Sequence, residues 1–199
     1  MGRNGVGKTT LLRAIMGLVP LRSGSVIFGG RELVGAEASE RARVGIGYVP
    51  QGREIFGQLT VEENLRIGVF ARQDGKSEIP EIVFRLFPVL KTMLGRRGGD
   101  LSGGQQQQLA IARALTIGPK CVLLDEPTEG IQPNIVHEIG IVIRKLYEEE
   151  KLAVLLVEQK LPFARKVGER FFLVERGSVV ASGAMGELTD ALVQKHLAV

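Results

Sequence analysis

The sequence predicts an α/β fold with a largely parallel sheet, and three observations carry that prediction. Two short, unbroken apolar runs, residues 121–124 and 152–157, have the composition of strands buried on both faces. Each hands polar residues to its end: Asp125 and Glu126 after the first, Glu158 and Gln159 after the second. Helical periodicity alternates with these runs, as in Ile135, Ile139, Val142, Ile143 and Leu146. Finally, the chain opens on Gly2-Arg3-Asn4-Gly5-Val6-Gly7-Lys8-Thr9, a G-x-x-x-x-G-K-[ST] loop with Thr10 behind it.

Each residue type in that loop has a physical reason to be there. Gly2, Gly5 and Gly7 let the backbone curl so that its N–H groups point inward and form an anion nest. A helix starting near Lys8 adds the positive end of its dipole. The Lys8 ammonium can reach terminal phosphates, and the Thr9 hydroxyl can hold Mg²⁺. Such a loop ordinarily follows a buried strand. Here it begins at the second residue, so the fold is expected without that N-terminal strand.

Composition sets the broad class. The 199 residues are 44% hydrophobic, enough for one domain with a sizeable core. Lys plus Arg number 26 against 22 acidic residues, and aromatics are 5% with no Trp, so little is available to stack bases and no nucleic-acid surface is expected. Cys121 is alone, which excludes a disulfide framework and points to a reducing compartment, with the thiol as a small buried apolar group. No run approaches the ~18 apolar residues of a membrane span. A superficial likeness to a signal peptide near the start is broken by Arg13, and the helix behind the loop explains those residues better.

In order along the chain, Leu11, Leu12, Ile15 and Met16 recur at helical spacing, and Gly17 to Pro20 end that helix. Ser25-Val26-Ile27-Phe28, Gly29-Gly30 and Arg31-Glu32-Leu33 read as strand, turn and return. A second extended run over 44–49 is closed by Pro50 and places Gln51 at a strand end, where ligands bind in open α/β sheets. From about 60 to 115 the character becomes helical. The segment starts at the capping box Thr60-Val61-Glu62-Glu63 and is broken at Gly75, Pro80 and Pro88. This predicts an inserted helical subdomain within a single domain spanning 1–199. Helices are expected over 133–149 and 162–167, strands over 171–174 and 179–181, and short helices at the C-terminus.

The order phosphate loop, Gln51, Leu101-Ser102-Gly103-Gly104-Gln105 and Val122-Leu123-Leu124-Asp125-Glu126 resembles the ATP-binding cassette ATPases, the nucleotide-binding subunits of ABC transporters. The resemblance covers nearly the whole chain. It implies a P-loop NTPase with a RecA-like core, an antiparallel β part and the inserted helical subdomain, binding ATP and Mg²⁺. Asn4, Gly5, Gly7, Lys8, Thr9 and Thr10 are then expected on the nucleotide, with Thr9, Asp125 and Gln51 toward Mg²⁺. Glu126 is expected as general base. Ser102, Gly103, Gly104 and Gln105 are expected to close on the nucleotide of an opposing subunit, so that two ATP are sandwiched in a head-to-tail dimer.

The same resemblance implies a second ATPase subunit, two transmembrane permease subunits and, indirectly, a periplasmic solute-binding protein, with no nucleic acid. It places the chain peripherally on the cytoplasmic face of the bacterial inner membrane. Two positions depart from the family pattern. Gln159 stands where the switch His is expected, and Gln132 replaces the usual acidic residue of the inter-subunit loop; His137 and His196 lie elsewhere. An amide can donate to phosphate but cannot carry a proton, so a catalytically weak, nucleotide-gated subunit paired with an active ATPase is an alternative. The family's stacking aromatic lies upstream of the loop, which leaves adenine affinity open. Val157-Glu158-Gln159 resembles the second ATPase of importers for branched-chain amino acids and small amides. The run 51–56 and the stretches 98–108 and 127–133 resemble the urea importer, the solute expected from the sequence, with branched-chain amino acids as the alternative.

Overall fold

A computed structural model describes residues 1–3 and 5–197. At its centre lie three parallel strands in the order β3-β4-β5, namely β3 (Ile46–Val49), β4 (Cys121–Asp125) and β5 (Ala153–Val157). β3 and β4 are covered on both sides, as parallel strands require; β5, expected from its apolar run to be equally enclosed, is buried only at Val157, because its face toward β6 borders an open cavity. Val122 and Leu124 pack into a cluster with α6 (Gly103–Thr116) and α7 (Pro133–Glu148), while Leu123 joins Ile46, Leu12 and Met16 on the opposite face. Leu12 and Met16 come from α1 (Lys8–Ile15) and its C-cap.

Two antiparallel hairpins complete the sheets. β1 (Ile27–Phe28) pairs with β2 (Arg31–Glu32) through the expected double-glycine turn. β6 (Arg170–Glu175) pairs with β7 (Ser178–Ala184), with a register shift after Leu173. β7 is longer than its apolar core 179–181 suggests, because β6 supplies ladder partners along its whole length. Met1 lies against β6, its ammonium donating to the Phe172 carbonyl and its own carbonyl accepting from Val174 N–H, both at 2.7 Å.

The segment from 60 to 116 is helical in pieces, as expected: α3 (Val61–Val69), α4 (Glu81–Leu86), α5 (Pro88–Lys91), a short 3₁₀ turn and then α6. Thr60 caps α3, accepting from Glu63 N–H while the Glu63 carboxylate accepts from Thr60 N–H. The remaining helices are α2 (Ala38–Arg43), α8 (Leu161–Val167) and α9 (Asp190–His196). Cys121 is half-buried rather than fully enclosed, and burial pushes its thiol pKa up.

α3 crosses α6 in close contact at Gly68. A Cβ there would stand 1.9 Å from the Thr116 hydroxyl and 2.7 Å from the Arg113 carbonyl. Gly68→Ala is therefore expected to destabilise the fold by about 2 kcal/mol through overpacking, read as a lowered thermal midpoint; an unchanged midpoint would refute this contact.

Candidate functional site

In-register parallel pairing brings the C-terminal ends of β3, β4 and β5 to one level. Val49 sits opposite Leu124, and Asp125 opposite Val157. Loops leaving one edge of such a sheet converge on a ligand, and here the glycine loop converges with them. Gly5 and Gly7 hold φ of 75° and 100°, conformations that a side chain would strain. A Cβ on Gly2 would come 2.4 Å from the Val174 carbonyl oxygen, so the start of the loop is pressed against β6. Thr9 is half-buried in the first turn of α1 and Thr10 is exposed. Asn4 lies outside the described residues.

Lys8 is only 5% exposed, and its ammonium donates to the carbonyls of Gly2 and Arg3, each at 2.7 Å. It also stands 3.7 Å from Glu126 Oε1. The cation is thus held inside the curl of the loop, where an anionic ligand would meet it together with the N-terminus of α1.

Asp125 ends β4 and is 1% exposed, yet neither of its carboxylate oxygens has a hydrogen-bond partner among the described residues. Burial pushes its pKa up; the Thr9 hydroxyl, near it but not in hydrogen-bonding geometry, and the Lys8 charge pull it down, while Glu126 and Glu129 add to the upward shift. A buried carboxylate with two orphaned oxygens close to Thr9 fits a divalent cation. No cluster of three or more acidic, His or Cys side chains forms a metal cage among the described residues. Mg²⁺ requires none, because it is commonly held by one or two carboxylates with water and substrate phosphates.

Glu126 follows in a left-handed conformation with φ 48°, strained for a residue with a side chain. Its N–H donates to the Val157 carbonyl at 2.9 Å, tying the end of β4 to the end of β5. Its Oε1 accepts from the Gln159 amide at 2.6 Å. A carboxylate fixed in this way keeps lone pairs to accept a proton from water. Gln159, read from the sequence as a substitute for a switch His, is therefore bonded directly to the residue expected as the base.

Gln51 reaches the same region, but its amide donates to Glu129 at 2.8 Å and not to Asp125. Behind it Gly52, Arg53 and Glu54 are all left-handed, a tight loop that sequence reasoning did not find. Arg53 bonds Gln106 of α6 at 3.2 Å, and Arg113 of the same helix donates to the Glu54 carbonyl at 2.7 Å. The Gln51 loop is thereby fastened to the helix that begins at the Ser102 motif. Ser102 caps that helix, accepting from Gln105 N–H, and the Gln105 side chain returns the bond to Ser102 N–H. Gly103 and Gly104 leave no room for a Cβ beside Arg53 and Ile135, at 3.0 and 2.9 Å respectively. Among the described residues, no side chain of this motif hydrogen-bonds to Lys8, Asp125 or Glu126. His137 lies 3.1 Å from Lys166 and His196 pairs with Glu175, so both take part in surface contacts.

A cavity of about 610 Å³ opens beside the cluster, between β5 and β6, but its walls are mostly apolar strand faces such as Val154, Leu156, Phe172 and Val174. The polar strand ends, not this cavity, carry the chemistry.

The sequence model of the family described as ABC transporter matches residues 1–129. This chain belongs to the ABC transporter family, as an ATP-binding subunit. A Pseudomonas aeruginosa high-affinity branched-chain amino acid transport ATP-binding protein, BraG, is 44% identical over 90% of the chain and 77% of the relative. A probable branched-chain amino acid transport ATP-binding protein, LivF, of Archaeoglobus fulgidus is 38% identical over 96% of the chain and 81% of the relative. Among solved structures, a dimeric post-hydrolysis state of the ATP-binding cassette MJ0796 bound to ADP and Pi superposes with TM-score 0.82 at 28% identity, covering 93% and 83% of the two chains. The ADP conformation of the MJ1267 cassette superposes with TM-score 0.76 at 29% identity, covering 92% and 78%. The α/β cassette fold expected from the sequence is thus the fold found, and the chain is an ATPase of this family. No helix among the described residues is long and apolar enough to cross a membrane.

Proposed function

We propose that this ATPase energises an importer of branched-chain amino acids. The observation that carries this reading is the 44% identity to a branched-chain amino acid transport protein over 90% of the chain. Urea, the solute expected from the runs 51–56, 98–108 and 127–133, ranks second, because both relatives named above belong to amino-acid transport. No residue here is assigned to the solute itself.

At the site, Lys8 and the N–H groups of the glycine loop hold the terminal phosphates of ATP. Thr9 and Asp125 would hold Mg²⁺, which would supply positive charge against the phosphates. Glu126 accepts the proton of the attacking water, and Gln159 fixes its carboxylate. Ser102, Gly103, Gly104 and Gln105 act on the nucleotide of an opposing subunit, and Gln51 with its Arg53 and Arg113 braces relays nucleotide state to the helical segment. The partners are a second ATPase subunit, two transmembrane permease subunits and a periplasmic solute-binding protein. Such an assembly puts this chain on the cytoplasmic face of the bacterial inner membrane. The 2.6 Å bond from Gln159 to Glu126 favours an active site over a merely nucleotide-gated one.

Glu126→Gln is expected to lower steady-state hydrolysis by about 10²-fold or more while ATP binding persists; an unchanged rate would remove the base assignment. Uptake of labelled leucine, beside labelled urea, in cells lacking this gene tests the solute. Loss of leucine uptake alone supports the proposal, and loss of urea uptake alone replaces it with the urea reading.

A further inference from the structure

Glu158 is a carboxylate next to the site that the scheme above leaves without a role. It follows the end of β5 and is 3% exposed. Burying a carboxylate is costly unless its lone pairs are met, and here they are met by two different loops. Oε2 accepts from the Thr128 hydroxyl at 2.7 Å, on the loop that follows β4 and carries Glu126. Oε1 accepts from the backbone N–H groups of Gln159 at 2.7 Å and Lys160 at 3.0 Å, on the loop that follows β5. The Lys160 ammonium closes the same seam by donating to the Thr128 carbonyl at 2.9 Å. Gln159 therefore sits between two residues pinned to Thr128, and its own amide is delivered to Glu126 Oε1 at 2.6 Å.

We propose that Glu158 is a positioning residue for ATP hydrolysis, clamping the Gln159 loop onto the Thr128 loop so that the Gln159 amide orients the Glu126 carboxylate. The proposal rests on Glu126 being the base. Of the other links, the N–H bond from Glu126 to Val157 fixes the backbone but not the carboxylate, and the Lys8 ammonium stands 3.7 Å from Oε1, beyond hydrogen-bond distance. A glutamine side chain left free on an unclamped loop would have to lose rotamer freedom each time it met Glu126. Glu158 supplies that order in advance, through its three hydrogen bonds to the two loops.

The chemistry required of Glu158 is acceptance, not charge or proton transfer. In Glu158→Gln the amide oxygen still accepts the two peptide N–H groups, and its NH₂ can donate to the Thr128 hydroxyl oxygen. That variant is expected to keep kcat, whereas Glu158→Ala cuts it about tenfold or more by loosening the geometry. The glycine loop is untouched in both, so KM for ATP stays within about twofold of the parent, and the loss appears in kcat.

The test is steady-state hydrolysis by the full-length protein in its assembled transporter, for Glu158→Ala, Glu158→Gln, Gln159→Ala and the Glu158→Ala/Gln159→Ala pair. Because Glu158 acts through Gln159, the pair is expected to be no slower than Gln159→Ala alone. Should Glu158→Ala fail to fold, Thr128→Val takes its place, removing one arm of the clamp with little change in shape. Multiplicative losses in the pair, a Glu158→Gln variant as slow as Glu158→Ala, or full kcat after the clamp is cut would each overturn the proposal. Glu126→Gln run alongside separates the two readings. If that variant keeps its rate, the base assignment fails; if it is slow while the clamp variants are silent or multiplicative, only the role of Glu158 fails.

Discussion

The rest of the structure depends on the in-register parallel pairing of β3, β4 and β5. Each strand is short and mostly apolar, and the groups that carry chemistry stand at or just past its C-terminal end, Asp125 being the last residue of β4. What they provide is a common level at which Gln51, Asp125, Glu126, Glu158 and Gln159 leave the sheet. A slip of one residue would turn Leu123 and Leu124 to the wrong clusters and carry the acidic pair off the edge. Burial of β3 and β4 on both faces therefore fixes the site as well as the fold.

At that edge, polar groups are held in costly states by specific neighbours. Glu126 is left-handed and is kept there by its bond to Val157 across the strand ends. Asp125 is buried with both oxygens unmet among the described residues, and its raised pKa follows from the same burial. Lys8 is inserted into the glycine loop and approaches Glu126. Opposite charges, a strained backbone and a carboxylate without a partner among the described residues are gathered at one edge, where Mg²⁺ would meet the carboxylate and phosphate the cation. The helical segment is connected to this region through Arg53 and Arg113, whose hydrogen bonds run between the Gln51 loop and α6.

Residues that declare themselves locally were readable from the sequence. The glycine loop, the capping box at Thr60 and the apolar runs of β4 and β5 each depend on neighbours within a few positions, and the structure has them where expected. The contacts that escaped are long-range. Gln51 meets Glu129 across 78 positions, Arg113 reaches Glu54 across 59, and Thr128 meets Glu158 across 30. No periodicity encodes such pairs. The left-handed turn at Arg53 and Glu54 escaped for another reason, since residue type gave no sign of positive φ beyond Gly52. The expectation that Cys121 is fully buried failed by one strand position: it opens β4, where cover is thinner.

The central claim is that the ends of these strands and the glycine loop together form one Mg–ATP site, with Asp125 as the protein's carboxylate for the metal. The most direct measurement is a Mg²⁺ titration of ATP hydrolysis for the parent and for Asp125→Asn, with metal-free ATP binding measured in parallel. The account predicts that the variant needs at least about tenfold more Mg²⁺, the scale of one lost charged ligand, while binding ATP without metal as the parent does. Identical Mg²⁺ dependence in the two proteins would contradict it.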